Sequence, residues 1–204
     1  TLLNFFKKSE KKLYGIDPTI NKKFKKFYNK NIHCISRLFD DIAIESLQKK
    51  IKEAKIVFSI AMFYDLPDPV KFALNIKKII GKEGIWVTEQ SYYPFMLKNN
   101  SFDTICHEHL EYYTIKSIKY IFKKVGLKII DIKFNDINGG SFRIIASSAR
   151  SKLKEFKKLN FYEKREKILL KKYSFNQFIK NIRLVKHDLK YLLRKILSQN
   201  KTVY

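Results

Sequence analysis

Short apolar runs alternate with amphipathic ones along this chain, and that alternation constrains its fold more than any other feature. "KLYGID", "IHCISRLF", "KIVFSIAMF" and "IWVTEQ" read as strands, the third as a continuous apolar run of the kind a parallel sheet buries on both faces. Between them, "PTINKKFKKFYNK" sets Ile20, Phe24, Phe27 and Tyr28 at helical spacing behind Pro18. "DIAIESLQKKIKEA" is helical, and "DLPDPVKFALNIKKIIGKEG" opens on Asp and Pro and closes near Gly81. "TLLNFFKKSE" reads as the end of a helix and "TIKSIKYIFKKVG" as a further one. Strands alternating with helices predict a doubly wound, parallel α/β sheet. "LKIIDIKFN" and "SFRIIASSA" are strands joined by "DINGG", whose paired glycines admit positive φ in a tight turn, so these two should form an antiparallel hairpin at one edge.

From about residue 151 the pattern turns almost purely helical, with Ile182, Val185, Leu189, Leu192 and Ile196 on one stripe. The expected organisation is an α/β domain over 1–150 followed by a helical segment over 151–204. Half of the net charge of +24 falls in that last segment, which invites a nucleic-acid or membrane reading. Only six of the 43 basic residues are Arg, however, and sequence-specific readers lean on Arg for bidentate contacts to guanine. Abundant Lys, Ile, Asn, Phe and Tyr are what AT-rich codons give any protein. A solvated lysine face on packing helices is therefore expected, with no nucleic acid or membrane as partner. The rival reading, a non-catalytic basic module for nucleic acid, would declare itself by strongly salt-dependent binding to random DNA. No apolar run approaches the ~18 residues of a membrane span. Cys34 and Cys106 form no paired framework, which points to a reducing, cytoplasmic setting.

In a doubly wound fold, ligands bind at the carboxyl ends of the strands. Asp17 in "YGIDP" stands where an acid would accept hydrogen bonds from the ribose hydroxyls of a nucleoside cofactor, and equally where a helix would start. The glycines at 15, 81, 84, 126, 139 and 140 form neither G-x-G-x-x-G nor a P-loop. "SFDTICHEHLEYYT" gathers Cys106, His107, Glu108 and His109 without a zinc-type spacing, so no metal is expected. On an extended loop His107 and His109 share a face. Either a general base with a carboxylate beside it to fix its tautomer, or a buried histidine held by backbone carbonyls, fits this stretch.

"IWVTEQSYYPFMLKNNSFDTICHEHLEYYT" followed by "GLKIIDIKFNDINGGSFRI" resembles the middle of the class I, Rossmann-like S-adenosylmethionine-dependent methyltransferases that C-methylate nucleotide-linked keto-deoxysugars. The pattern E-Q-x-Y…D-T-I-x-H-E-H-L-x-Y-Y…N-G-G-S-x-R covers about residues 89–143, and 1–150 follows the family in order. The resemblance implies S-adenosylmethionine as cofactor, with Asp17 on its ribose, and a nucleotide-linked sugar as substrate. It implies His109 as the base that takes the proton α to the sugar ketone, with Glu108 beside it. Tyr112, Tyr113, Asn138, Ser141 and Arg143 would shape the sugar and phosphate side. The family commonly carries Tyr where this chain has Cys106, and His near Tyr64, so Cys106 and Tyr64 bear on the substrate or on the atom methylated, oxygen or nitrogen included. The family's glycine-rich cofactor turn directly precedes the "TLL" run and its amino-terminal zinc module is absent here. The chain is thus expected to be a piece of a longer protein that binds the cofactor poorly on its own.

Overall fold

A computed structural model describes residues 2–6, 12–20 and 22–203. Strands form where β-branched and aromatic residues cluster: β1 (Leu13–Ile16), β2 (Ile32–Ile35), β3 (Ile56–Ile60), β4 (Ile85–Ser91), β5 (Leu127–Asn135) and β6 (Ser141–Ser148). The helices are α1 (Lys22–Lys25), α2 (Asp41–Gln48), α3 (Pro69–Ile79), α4 (Tyr93–Asn99), α5 (Ile115–Lys124), α6 (Leu159–Lys172) and α7 (Phe175–Leu197). β1 pairs with β2 in parallel, and β3 with β4 in parallel; β6 lies antiparallel to both β4 and β5, in the order β3–β4–β6–β5. The expected hairpin is present, and its second strand is the inner one.

Caps explain where the helices start. Asp68 accepts from the Lys71 amide at 2.8 Å, with Pro69 in the first turn of α3. Thr114 and Ser117 form a reciprocal capping box at α5. The core lies on the α3–α5 side of the sheet. There Trp86 is fully buried, with Phe63 and Phe122 at ring separations of 5.3 and 4.9 Å. Its indole N–H donates to the Ser59 hydroxyl at 2.8 Å. Phe58, one step along β3, alternates to the opposite face, where the Phe6 ring lies 5.8 Å away.

Several expectations are corrected. Of the helix expected over "PTINKKFKKFYNK" only α1 forms, and of "TLLNFFKKSE" only a 3-10 turn at Leu2–Phe6 falls within the described residues. β3 stops at Ile60, short of the apolar run's end. Ala61 there adopts a left-handed φ of 51° and gives its N–H to the Glu89 carbonyl at 2.8 Å, turning the chain into a 3-10 turn at Phe63–Asp65. The helix α4 carried no clear periodic signal, and Asn100, at a left-handed φ of 52°, ends it.

The carboxy-terminal helices dock on this sheet unequally. The Phe156 amide donates to the Ile129 carbonyl at 3.0 Å, Leu159 is buried, and Lys119 pairs with Glu163 at 2.9 Å. On α7, Phe178 is buried against Met96 and Leu97. Beyond Ile182 the expected packing stripe emerges into solvent, with Val185, Leu189 and Leu192 each about half exposed. No helix among the described residues is long and apolar enough to cross a membrane.

Replacing Ser59 by Ala leaves the Trp86 indole N–H without a partner in the core, at an expected cost of about 1–3 kcal/mol. Urea unfolding should show a lower midpoint at an unchanged slope.

Candidate active site

The segment joining α4 to α5 runs across the carboxyl end of β3 without a sheet partner of its own, so its backbone must be satisfied from neighbouring elements. The carbonyl of Tyr64 accepts the amides of Leu110 and Glu111 at 2.9 and 3.0 Å, and the Tyr93 amide donates to the Tyr113 carbonyl at 3.0 Å. With both flanks pinned, the buried residue Thr104 turns its carbonyl onto His109, whose Nδ1 lies 2.7 Å away. A carbonyl only accepts, so in neutral His109 the proton sits on Nδ1 and Nε2 presents its lone pair. The Tyr112 hydroxyl donates to the same carbonyl at 3.4 Å, and the Tyr64 ring lies 4.2 Å from the imidazole.

Burial raises the Tyr64 hydroxyl above the ordinary phenol range, with the charges of Asp65 and Cys106 adding to it. Burial, then Cys106, does the same to Tyr112. Four predicted residues are thus gathered at one spot: Tyr64, Cys106, His109 and Tyr112. Asp65 belongs there too. Desolvation raises its carboxyl, His109 pulls it down and Glu108 pushes it up. Asp65, in the 3-10 turn that follows β3, was not singled out from the sequence, although an acid in the connection beyond the carboxyl end of a parallel strand is a place to look.

Other predicted residues lie differently. The loop is not extended at "HEH": a turn brings the His109 amide to the Cys106 carbonyl at 3.3 Å, so His107 and His109 part company. His107 and Glu108 face solvent 3.9 Å from each other, and the tautomer-fixing role given to Glu108 falls to the Thr104 carbonyl. Tyr113 is buried, with its ring stacked on Phe63 and its hydroxyl donating to the Phe63 carbonyl at 3.4 Å. Burial, then Glu111, raises its hydroxyl well beyond the usual range.

Asn138, Ser141 and Arg143 form a second group at the β5–β6 turn. Arg143 donates through Nε to the buried Glu89 carboxylate at 2.6 Å, and Asn135 donates to the other oxygen of Glu89 at 3.1 Å. The Ser141 hydroxyl donates to the Ile137 carbonyl at 2.9 Å, and Asn138 is exposed at a left-handed φ of 52°. The turn needs its glycines: Gly140 has φ 117° and would press a Cβ to 2.6 Å from that of Phe95. Asp17 sits just past the end of β1, where one carboxylate oxygen accepts from the Thr19 amide at 2.7 Å and the Thr19 hydroxyl at 2.6 Å. Among the described residues no three His, Cys, Asp or Glu side chains are grouped as metal ligands.

A family model described as a methyltransferase domain matches residues 1–132. The chain belongs to that family. It is also similar to the C-methyltransferase NovU of Streptomyces niveus, at 24% identity over 203 residues. That match covers 98% of this chain and 48% of NovU, so the chain spans about half the length of the curated relative it matches. Two solved structures share the fold. One is a complex between the Haloferax volcanii Trm112 methyltransferase activator and a methyltransferase, at 11% identity, 72% of this chain, 76% of that chain and a TM-score of 0.57. The other is an S-adenosylmethionine-dependent methyltransferase from Anabaena variabilis, at 12% identity, 72% of each chain and a TM-score of 0.56.

The methyltransferase domain should hold His109 as the Nδ1–H tautomer whenever the ring is neutral. Long-range proton–nitrogen correlation spectra of a 15N-histidine sample should show a protonated Nδ1 and an unprotonated Nε2. The opposite pattern would mean that the Thr104 contact does not form in solution.

Proposed function

We propose that the protein carrying this methyltransferase domain transfers a methyl group from S-adenosylmethionine to a carbon of a nucleotide-linked keto-deoxysugar, with His109 as general base. The observation that carries this reading is the 2.7 Å contact between His109 Nδ1 and the Thr104 carbonyl, which leaves Nε2 as the acceptor. Family membership, the C-methyltransferase relative and the "HEHL" and "NGGS" motifs support the same chemistry.

A proton α to a ketone needs a positioned base titrating near neutrality, which is what imidazole provides. His109 Nε2 would take that proton, and the C–H bonding pair would move into the enolate conjugated with the ketone. The proton so taken up returns to solvent through the half-buried ring. When bound, S-adenosylmethionine supplies an electrophilic sulfonium methyl that needs alignment rather than acid–base help. Asp17 fits the ribose of that cofactor: it is a carboxylate at the carboxyl end of a strand, and both Thr19 bonds fall on Oδ1, so Oδ2 is the oxygen a ribose hydroxyl would meet. Tyr64, Cys106 and Tyr112 would wall the sugar, with buried Tyr113 as support behind them. Arg143, held by Glu89 through Nε, would present its terminal nitrogens to a diphosphate, beside Asn138 and the Ser141-braced turn.

In the full-length protein, His109→Asn should cut turnover by about 10²–10⁴, the usual contribution of a positioned general base, while cofactor affinity stays within a few-fold. His107→Asn, at a solvent-exposed position, should do much less. Methyl transfer that survives His109→Asn at the wild-type rate would favour an acceptor oxygen or nitrogen, which needs no carbon acid to be opened.

A further inference from the structure

Glu166 of α6 is the best-connected carboxylate among the described residues, and it is 3% exposed. Its Oε2 accepts the Tyr92 hydroxyl at 2.9 Å and the Ile115 amide at 2.6 Å, and its Oε1 accepts the Lys116 amide at 3.2 Å. Tyr92 is the residue that opens α4, while Ile115 and Lys116 are the first two of α5. A single side chain therefore ties together the two helices whose connecting segment carries Thr104, Cys106, His109 and Tyr112. It also supplies acceptors to two amides that the first turn of α5 leaves without helical partners, and it places negative charge at the positive end of that helix. Burial raises the Glu166 carboxyl, while the Ile115, Tyr92 and Lys116 donors pull it back.

We propose that Glu166 is a positioning residue: its carboxylate clamps Tyr92 to the start of α5 and so holds the 101–114 segment, with His109, in working geometry. The helical segment that follows the sheet is on this account part of the catalytic frame. This proposal rests on the reading of His109 as the base, and the two can be told apart. Glu166 touches none of the four gathered residues directly. Its influence runs through Tyr93, whose amide holds the Tyr113 carbonyl, and through Ile115, two residues past Tyr113.

The test uses the full-length protein and Glu166→Gln, which keeps the side chain's size but turns an amide donor toward donors. Hydrogen exchange should speed up by about tenfold or more across 104–116, with Trp86–Thr88 in β4 unchanged, because the loosening is local. Diethyl pyrocarbonate should then modify His109 at a rate approaching that of exposed His107. Turnover should fall by about 10- to 100-fold, with the KM for S-adenosylmethionine held within a few-fold, since small misplacement of a reacting group costs that much. Tyr92→Phe removes one of the three bonds and should show the same changes to a smaller degree, which keeps the test informative if Glu166→Gln folds poorly. Unchanged exchange over 104–116 in both variants would overturn the clamp. Faster exchange with unchanged turnover would overturn the positioning role. His109→Asn, measured alongside, reports separately on the base.

Discussion

The active-site segment depends on one carbonyl. A stretch that belongs to neither sheet nor helix must find hydrogen-bond partners for its backbone, and unpaired buried groups are expensive. The Tyr64 carbonyl, just after β3, accepts two consecutive amides at Leu110 and Glu111. These two hydrogen bonds fix where His109 sits relative to the Tyr64 ring, and the Thr104 carbonyl then fixes which way the imidazole points. Rotation of the ring would forfeit a short bond to a buried acceptor. The site is thus oriented by backbone atoms, whose placement follows from the fold.

Charge is arranged to the same end. Asp65 lies close enough to His109 for the two charges to interact, while the basic residues that dominate the composition lie mostly elsewhere. Arg143 is the exception near the β5–β6 turn, and its buried partner Glu89 holds the guanidinium by one edge. Two chemically distinct neighbourhoods result, one suited to taking a proton and one to meeting an anion. Both lie toward the carboxyl ends of β3 and β4, where doubly wound sheets bind their ligands.

Much of this was legible in the chain. The apolar run around Val57 and Phe58, the capped start at Asp68 and Pro69, and the paired glycines at 139 and 140 announce β3, α3 and the β5–β6 turn through local chemistry alone. Strand ends were harder to read, because β3 stops at a backbone conformation of Ala61 that no side chain advertises. Local reasoning also misled at Glu108, whose nearness in sequence suggested a partner for His109 that the turn at Cys106 removes. Contacts between distant positions were beyond reach. Glu166 meets Tyr92 across 74 residues and Ile115 across 51, and nothing near residue 166 marks it apart from other acids on a lysine-rich helix.

The central claim is that His109 removes a proton from carbon. Incubating the full-length protein in deuterated water with a nucleotide-linked keto-deoxysugar, and with a cofactor analogue that cannot give up a methyl group, isolates that step from transfer. Mass spectrometry of the recovered sugar should show deuterium at the carbon next to the ketone with the wild-type protein and none with His109→Asn. Incorporation by the variant at the wild-type rate would make His109 a structural histidine and contradict the account.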